Sequence, residues 1–536
     1  MKKNLFILVG FLSFFACHQT KTPSNFESAP EVMKEVVLAE PPASNQPAAY
    51  AMKSAPKSKE NIAGKKLDTV DKQAAFNTED YAAIVENEFI NPKNTPLSTF
   101  SIDVDNAAYS NVRRFLQEGK MPPKNAVRLE EMINYFDYDY PQPTDGHPLS
   151  ISTDLADCPW KKTHYLLRIG MKGKEIDPRQ APVNNLVFLI DVSGSMSDEN
   201  KLPLVKKAFK VLVNNLRAND KVSIVVYAGA AGVVLPATSG DKKDKILAAL
   251  DKLESGGSTA GGEGILLAYK IAKENFVKEG NNRVIVATDG DFNIGPSSDG
   301  DLTDLIEQKR KDGVFLTVLG FGMGNYKDNK LEILADKGNG NYAYIDNERE
   351  AYRVFNSEMT GTLYTIAKDV KLQLEFNPKK VAAYRLIGYE NRLLNAADFN
   401  DDTKDAGDLG VGHTVTALYE IIPQNAANTE GVRSVDNLKY QQNQTTPSAD
   451  GADWVTIKFR YKKPDADKSL LLEKVVNQAP VAWSQTSTDF RFATSVASFG
   501  MLLRQSKFKG TASYASVKDM AQNALGKDES GYRTEF

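Results

Sequence analysis

Oxygen-bearing side chains follow two apolar segments of this sequence, in a spacing that could hold a hard metal ion. Residues 186–190 read LVFLI, an uninterrupted apolar run typical of a strand buried on both faces of a parallel sheet. Three candidate ligands follow this strand: Asp191, Ser193 and Ser195. Thr259 lies in a glycine-rich stretch, and Asp289 follows a second apolar run. Because ligands bind at the carboxyl ends of strands in open α/β sheets, these side chains are expected to meet at one edge.

The donor set is made only of carboxylate and hydroxyl oxygens. Such oxygens suit Mg²⁺, with Mn²⁺ or Ca²⁺ as alternatives, whereas a zinc site would call for His or Cys. The order Asp-x-Ser-x-Ser, then Thr, then Asp resembles the metal-ion-dependent adhesion site of von Willebrand factor type A (VWA) domains and integrin inserted domains. This resemblance implies a Mg²⁺ ion that both serines contact directly, with Thr259 joining them when a ligand is bound. It also implies that Asp191 and Asp289 act largely through water or hydrogen bonds, and that a partner's Asp or Glu fills an open position.

Other interpretations of these residues remain at this stage. Asp191 and the serines could simply cap the next helix, since Asp and Ser are favoured caps. Ser193 or Ser195 could be a nucleophile in a metal-assisted hydrolase, although no His or Lys stands beside them in sequence as a base. The glycine-rich stretch GGSTAGGEG lacks the Lys-Ser/Thr of a P-loop, and the acidic loop 398–408 lacks the glycine and final Glu of an EF-hand.

Composition narrows the class of protein. The chain has 536 residues, 41% hydrophobic and 25% charged, with a net charge of −3. This length predicts two or three soluble domains, and this charge gives no basic footprint for nucleic acid. Only two cysteines occur, and Cys158, in the sequence DCPW, is expected to be a buried small hydrophobe rather than a nucleophile.

The first residues predict export and lipid attachment. Two lysines, an apolar run and Ala16-Cys17 form a secretory signal whose end resembles a bacterial lipobox, so Cys17 is the predicted lipidation site (residues 1–17). Residues 18–75 are rich in Ala, Pro, Lys, Ser and Glu and predict a disordered tether. We therefore expect a bacterial cell-envelope protein held to a membrane by its lipid. The absence of an acidic cluster after Cys17 favours the outer membrane facing the periplasm, with the cell surface as the alternative.

The rest of the chain changes pattern twice. Strand and helix patterns alternate over residues 184–366, which predicts a doubly wound, mostly parallel α/β sheet of the Rossmann-like VWA kind. Strand patterns alone fill 367–480, and three more, at 100–105, 149–155 and 164–171, lie within an α+β flanking domain over 76–183. The α/β domain is therefore expected to be inserted in a β-sandwich-like flanking domain. Helices are expected at both ends. One is a short capped helix over 77–87, and the other end is a helical segment over 481–536 that contains a helix capped by Thr488 or Asp489.

The flanks carry a further resemblance. The stretches FSIDVDNAAYSNVRRFL and DFRFATSVASFGMLLR, together with DVSGSM and TDGDFN, resemble bacterial VWA lipoproteins with dedicated amino- and carboxy-terminal flanking domains. The aromatic segment 134–143 is expected to pack a core edge rather than form a binding patch. The prediction is a membrane-anchored, Mg²⁺-dependent binding protein that is not an enzyme and that captures an acidic residue of a protein partner. A scaffold with a vestigial metal site is the alternative, and a hydrolase the more distant one.

Overall fold

The chain passes through one sheet of a sandwich, builds a central α/β unit, and then returns to complete the sandwich. The computed structural model describes residues 79–258, 261–290, 299–324, 326–426, 436, 439–440 and 445–536. The amino-terminal elements are β1 (Leu97–Ser101), α1 (Ala107–Gln117), α2 (Leu129–Asn134), β2 (Leu149–Asp157) and β3 (Tyr165–Gly173). The Asn184–Leu363 elements are β4 (Asn184–Asp191), α3 (Leu202–Asn214), β5 (Lys221–Tyr227), β6 (Ala231–Ser239), α4 (Lys243–Asp251), α5 (Gly261–Glu274), β7 (Asn281–Thr288), α6 (Asp299–Lys311), β8 (Val314–Phe321), α7 (Asp328–Lys337), β9 (Tyr342–Ile345), α8 (Glu348–Tyr352), a π-helical turn (Arg353–Ser357) and α9 (Met359–Leu363).

The carboxy-terminal elements complete the flanks. They are β10 (Thr365–Phe376), β11 (Val381–Ile387), β12 (Leu409–Gly410), β13 (Thr414–Pro423), β14 (Val455–Lys462), β15 (Ser469–Val476), α10 (Thr488–Arg504), α11 (Tyr514–Gln522) and α12 (Tyr532–Glu535). Short 3₁₀ turns lie at Lys124–Ala126, Pro178–Gln180, Gly194–Ser197, Ala396–Asn400, Pro447–Asp450 and Trp483–Gln485. No helix among the described residues has the length and the apolar character that are needed to cross a membrane.

The central sheet confirms the predicted doubly wound α/β fold. Its strand order is β6-β5-β4-β7-β8-β9, and all neighbours are parallel except the edge pair β5–β6. Every residue of β4 is buried, because Leu186 and Phe188 pack into the core on one face while Val187 and Leu189 pack into the core on the other. Burial on both faces explains why this strand is an unbroken apolar run rather than an alternating one.

The predicted sandwich around the central unit is also confirmed. One sheet has the order β1-β10-β14-β15, with β12 paired to β10, and the other has the order β11-β13-β3-β2. Leu372 and Phe459 of the first sheet share one apolar core with Leu167 and Tyr419 of the second. Strands on both sides of the central unit pair directly, β1 with β10 and β3 with β13, so the α/β unit is an insertion.

The aromatic rings of the segment 134–143 pack into the core, as expected, whereas Asp137 and Asp139 between them are exposed. Tyr135, Phe136, Tyr138 and Tyr140 are all buried, and the Tyr138 hydroxyl donates a hydrogen bond to the Ile133 carbonyl at 2.8 Å. These rings are part of the core beneath α10. Cys158 belongs to the same core, and burial raises the pKa of its thiol well above the ordinary value. Neither feature is a surface site.

Two predictions about local structure are wrong. The described part of 77–87, from Glu79 onward, is extended rather than helical, because tertiary partners take its backbone hydrogen bonds: the Asp80 N–H donates to the Tyr326 carbonyl at 3.1 Å. At the carboxy-terminal helix the cap is Ser487, one residue earlier than expected, and its side chain accepts the Phe490 N–H at 3.1 Å. Strand β15 was not predicted, since SLLLEKVV does not alternate.

A buried network of charges joins the central unit to the flanks. Arg392, in the segment after β11, contacts Asp336 at 2.6 Å and Asp103 at 3.0 Å, with Asp105 and Glu332 each at 3.4 Å. Arg128, immediately before α2, contacts Glu131 at 2.9 Å and Asp328 at 3.2 Å, and it also pairs with Glu332. Helix α7 is thus held on the flanks by ion pairs.

Candidate metal centre

Strands β4 and β7 bring the two ends of the motif together. They are parallel neighbours, and their register pairs Ile190 with Ala287, so Asp191 and Thr288 stand side by side where the strands end. The Thr288 hydroxyl donates to Asp191 Oδ2 at 3.4 Å. Asp289 follows directly, and both aspartates have no exposed surface. Two residues almost a hundred positions apart are placed at one sheet edge by strand pairing alone.

The turn after β4 brings the two serines next to each other. The Ser193 N–H donates to Asp191 Oδ1 at 2.9 Å, which fixes the start of the turn. The Ser193 and Ser195 hydroxyl oxygens lie 3.1 Å apart. Ser193 is buried, whereas Ser195 is exposed. The serine pair therefore leads from the buried carboxylate to the protein surface.

The glycine-rich stretch is bonded to this turn. The Gly194 N–H donates to the Gly257 carbonyl at 3.0 Å, and the Gly256 N–H donates to the Val192 carbonyl at 2.8 Å. A Cβ on Gly194 would lie 3.4 Å from the Gly257 carbonyl oxygen, so the two segments are in close contact. Thr259, the fourth predicted ligand, lies outside the described residues, as does Cys17.

Asp289 and its neighbours form the other wall of the site. Gly290 adopts a φ of +101°, and a Cβ there would lie 2.7 Å from the Lys327 amide nitrogen, so only glycine fits after Asp289. The segment that contains Lys327 is in turn held by the amino-terminal flank, since Glu79 accepts the Gly324 N–H at 2.9 Å. The flank thus supports the rim of the site.

Lys201 is a member of the site that the sequence analysis missed. Its Nζ lies 2.9 Å from Asp289 Oδ2, and its side chain is 7% exposed. Lys201 is ten positions after Asp191, and the turn between them folds back so that both side chains reach the same sheet edge. The residue immediately precedes α3, and nothing in its local sequence distinguishes it from an exposed lysine; only the three-dimensional path of the turn reveals the contact.

Helix capping does not explain the motif. Helix α3 begins after Lys201, and no side-chain cap hydrogen bond is made there. Ser193 precedes the short 3₁₀ turn Gly194–Ser197, again without a side-chain cap bond. The buried Asp191 carboxylate accepts bonds from Ser193 and Thr288 instead. The interpretation of these residues as simple caps is therefore wrong.

Burial dominates the electrostatics of the site. It raises the pKa of the Asp191 carboxyl to about 6, and the nearby Asp289 carboxylate adds to the rise, while hydrogen bonds from Ser193 and Tyr227 oppose it. Among the described residues, two fully buried carboxylates face the ammonium of Lys201, and these three groups together carry an excess of negative charge beside two hydroxyls. A buried charge excess is costly unless a cation compensates it. The donor set and its charge therefore fit a hard divalent cation held by Asp191, Ser193, Ser195 and Asp289.

The raised pKa of Asp191 makes a prediction about pH. A protonated Asp191 carboxyl lacks the negative charge that stabilises a bound cation, so protons compete with the ion once the pH falls to about 6. We expect the affinity for Mn²⁺ to be nearly constant above pH 7 and to fall roughly tenfold per pH unit below pH 6, as for a single competing proton. Titrations at pH 5, 6 and 7.5 measure this, and an affinity that stays flat across the series would contradict it.

The hydroxyls have no imidazole base beside them in the described structure. Its three histidines all lie in the flanks: His164 pairs with Glu420 at 2.5 Å, His147 with Tyr461 at 2.8 Å, and His413 packs against Gly361. Activation of a serine nucleophile ordinarily requires such a base within hydrogen-bond reach. The described structure thus supplies no histidine base for a serine nucleophile.

Comparison with known proteins places the chain in a family. The family model of the von Willebrand factor type A domain matches residues 185–358, a model described as von Willebrand factor matches 75–168, and the YfbK carboxy-terminal model matches 361–536. The uncharacterized protein YfbK of Escherichia coli is 42% identical over 449 residues, which cover 82% of this chain and 77% of YfbK. The chain belongs to the YfbK family of VWA-domain proteins.

More distant relatives match smaller parts of the chain. The inter-alpha-trypsin inhibitor heavy chain H2 of Sus scrofa is 22% identical over 308 residues, covering 55% of this chain and 30% of that protein. A structure of proximal thread matrix protein 1 from the mussel byssus has a zinc-occupied adhesion motif; it is 24% identical, covers 33% of this chain and 45% of its own, and has a TM-score of 0.27. VWA domains bind divalent ions and act mostly as interaction modules rather than enzymes.

Proposed function

We propose that this protein binds a divalent ion, Mg²⁺ in the cell, at the end of β4 and uses it to capture an acidic residue of a protein partner. The observation that carries the proposal is the convergence of two buried carboxylates, Asp191 and Asp289, with the adjoining hydroxyls of Ser193 and Ser195. Oxygen donors of this kind suit Mg²⁺, with Mn²⁺ and Ca²⁺ as alternatives.

The shape of the site supports a ligand supplied from outside. Ser195 is exposed, so the donor set reaches the surface rather than closing into a sealed cage. The described part of the site offers two buried carboxylates, and an ion held by two negative charges together with neutral hydroxyls keeps part of its own positive charge. A carboxylate from a partner protein is a suitable ligand for such an ion, because a Mg²⁺ site ordinarily keeps exchangeable water positions.

The proposal includes the location of the protein. The predicted lipid on Cys17 and the predicted tether of 18–75 would hold the binding site near a membrane, at the outer membrane facing the periplasm, with the cell surface as the alternative. Support for this comes from the sequence alone, through the signal segment and the small residue before Cys17. Labelling with a radioactive or alkyne-bearing fatty acid, lost in Cys17→Ser, tests the anchor independently of the metal site.

Titration of the chain with Mg²⁺, Mn²⁺ and Ca²⁺ by calorimetry tests the metal site, and capture with and without EDTA tests partner binding. We expect saturable binding of one ion per chain, and capture of an envelope protein that EDTA abolishes and that added Mg²⁺ restores. The Asp244→Ala variant, which removes an exposed carboxylate from α4, should behave like wild type. Capture that survives EDTA would contradict a metal-bridged contact.

Thr259 provides a finer test of how the ion is used. If this residue joins the ion only when a ligand is bound, Thr259→Ala should weaken partner capture by more than it weakens metal binding. We expect a loss of about tenfold or more in capture, against a change of a few-fold at most in the Mn²⁺ dissociation constant. Equal losses in the two measurements would instead make Thr259 an ordinary metal ligand.

One alternative function has an observation in its favour. The Lys201 ammonium already pairs with Asp289, so the site could be vestigial and the flanks could make the contacts of a scaffolding lipoprotein. In that case the chain would bind no divalent ion and capture would be insensitive to EDTA. The same pair of measurements therefore distinguishes the two functions.

A further inference from the structure

The Lys201 side chain is built into the metal centre rather than resting against it. Its ammonium lies 2.9 Å from Asp289 Oδ2, and its side chain is 7% exposed. A second carboxylate, Asp198, lies 3.9 Å from the same nitrogen, but its side chain is 71% exposed and so contributes little after screening by water. Asp289 is therefore the main partner of the lysine.

Two features beyond charge attraction hold this lysine in position. Its backbone is fixed at the start of α3, where the Lys201 carbonyl accepts the Val205 N–H at 2.8 Å. Its methylene stem passes over Gly322, where a Cβ would lie 2.5 Å from the lysine Cε. Gly322 also adopts a φ of +71°, a conformation that favours glycine. The groove that accepts the stem keeps the ammonium beside Asp289 by packing as well as by charge.

The charges at the site then determine what it can bind. As charged groups, the Asp191 and Asp289 carboxylates contribute −2 and the Lys201 ammonium contributes +1, so these described groups sum to −1 without an ion. A bound divalent ion changes that sum to +1, whereas without the lysine the sum would be zero. Because these groups are buried, their interactions are much stronger than between exposed charges. The lysine should repel the ion and attract an anion to the loaded site.

We infer that the positive charge of Lys201 lowers the affinity of the adhesion site for the divalent ion and raises the affinity of the loaded site for a carboxylate ligand. This inference rests on the proposed function and adds a reason for ligand selectivity. The loaded site prefers a singly charged anion, such as the side chain of Asp or Glu, because one negative charge brings the sum of charges to zero. A neutral amide of similar shape gains nothing from the excess charge.

The test is Lys201→Met in the full chain, since the unbranched Met side chain keeps the stem that packs over Gly322 but removes the charge. Mn²⁺ binding is measured by the electron spin resonance of free Mn²⁺. Acetate is then titrated into the Mn²⁺-loaded protein at pH 7.5, and its binding is followed by water proton relaxation as it displaces water from the ion. We expect Mn²⁺ to bind on the order of tenfold more tightly, and acetate on the order of tenfold more weakly, than in wild type.

Matched variants separate this effect from a general loss of structure. Lys207→Met removes an exposed lysine of α3 that pairs with Glu348, and it should change neither constant. Lys201→Arg keeps the charge and should retain acetate binding. If Lys201→Met fails to fold, Lys201→Gln, which can still donate a hydrogen bond to Asp289, should show the same two opposite shifts. Thermal unfolding in EDTA identifies any variant that has lost its fold.

The outcomes for the inference and for the proposed function differ. If wild type binds Mn²⁺ but Lys201→Met shifts both constants in the same direction, or neither, the inference is wrong and the proposed function stands. If neither wild type nor the variant binds Mn²⁺, with or without acetate, the proposed function is wrong and the inference with it. If only the variant binds Mn²⁺, the lysine replaces the ion in the native protein, which overturns both.

Discussion

Replacing Asp191 with alanine is expected to weaken Mg²⁺ and Mn²⁺ binding by about 100-fold or more. The carboxylate is fully buried at the end of β4, beside Asp289, and its Oδ1 also accepts the Ser193 N–H that shapes the turn. The substitution therefore removes a negative charge from the site and releases the serine hydroxyls. Partner capture should be lost together with the ion.

Thermal stability provides an independent test of whether Asp191→Ala has lost the ion. A ligand that binds only the folded protein adds about 2.7 kcal/mol at a concentration a hundred times its dissociation constant. Wild type should therefore melt at a higher temperature in Mg²⁺ than in EDTA, whereas Asp191→Ala should melt at one temperature in both. The matched variant Asp244→Ala should keep the full shift. A variant at 191 that still gains stability from Mg²⁺ would show that the ion binds elsewhere.

The sequence was sufficient to predict the central sheet and the edge at which Asp191 and Asp289 meet. Residues 186–190 are apolar without interruption because both faces of β4 are covered, and that pattern is local in the chain. Oxygen donors placed directly after such strands must share an edge once the strands are parallel neighbours, so the approach of Asp191 to Asp289 follows from two local patterns and one rule of topology.

What the sequence did not reveal depends on long-range contacts. Lys201 looks like any lysine at the start of a helix, and its approach to Asp289 requires the path of the turn after Ser195. Glu79 and Asp80 belong to a stretch that was predicted to be helical, yet their tertiary hydrogen bonds to Gly324 and Tyr326 favour an extended chain. Local propensity is worth only a few tenths of a kcal/mol per residue, so such contacts override it.

The buried ion pairs of Arg392 are the clearest example of long-range contacts that the sequence does not predict. Arg392 meets Asp103 across 289 positions of sequence, and no local pattern distinguishes this arginine from an exposed one. Its side chain is 13% exposed, while those of Asp103, Asp105 and Glu332 are 5% exposed or less. The arginine therefore has a structural role that only the fold discloses.

Replacing Arg392 with methionine is expected to lower the free energy of unfolding by about 3–5 kcal/mol, because several buried carboxylates lose their main counter-charge. Arg179→Met is the control: that arginine's side chain is 88% exposed, and it pairs with Asp177 at 2.5 Å. An exposed ion pair of that kind contributes little to stability. Urea denaturation of the two variants and wild type measures the difference.

The pH dependence of the Arg392→Met deficit tests its cause. Burial raises the pKa of Asp328 to about 7 and that of Glu332 to about 8, and Arg128 opposes both shifts. A carboxyl whose pKa is higher in the folded than in the unfolded protein holds extra protons when folded, so its contribution to stability declines as the pH rises from about 4.5 to 8.

Removing Arg392 raises the pKa of Glu332 further, because the Arg392 charge lowers it in wild type. The deficit should therefore be smallest near pH 5 and largest above pH 8. A deficit that is the same at both ends would mean that lost packing of the arginine stem, rather than unpaired charge, destabilises the variant.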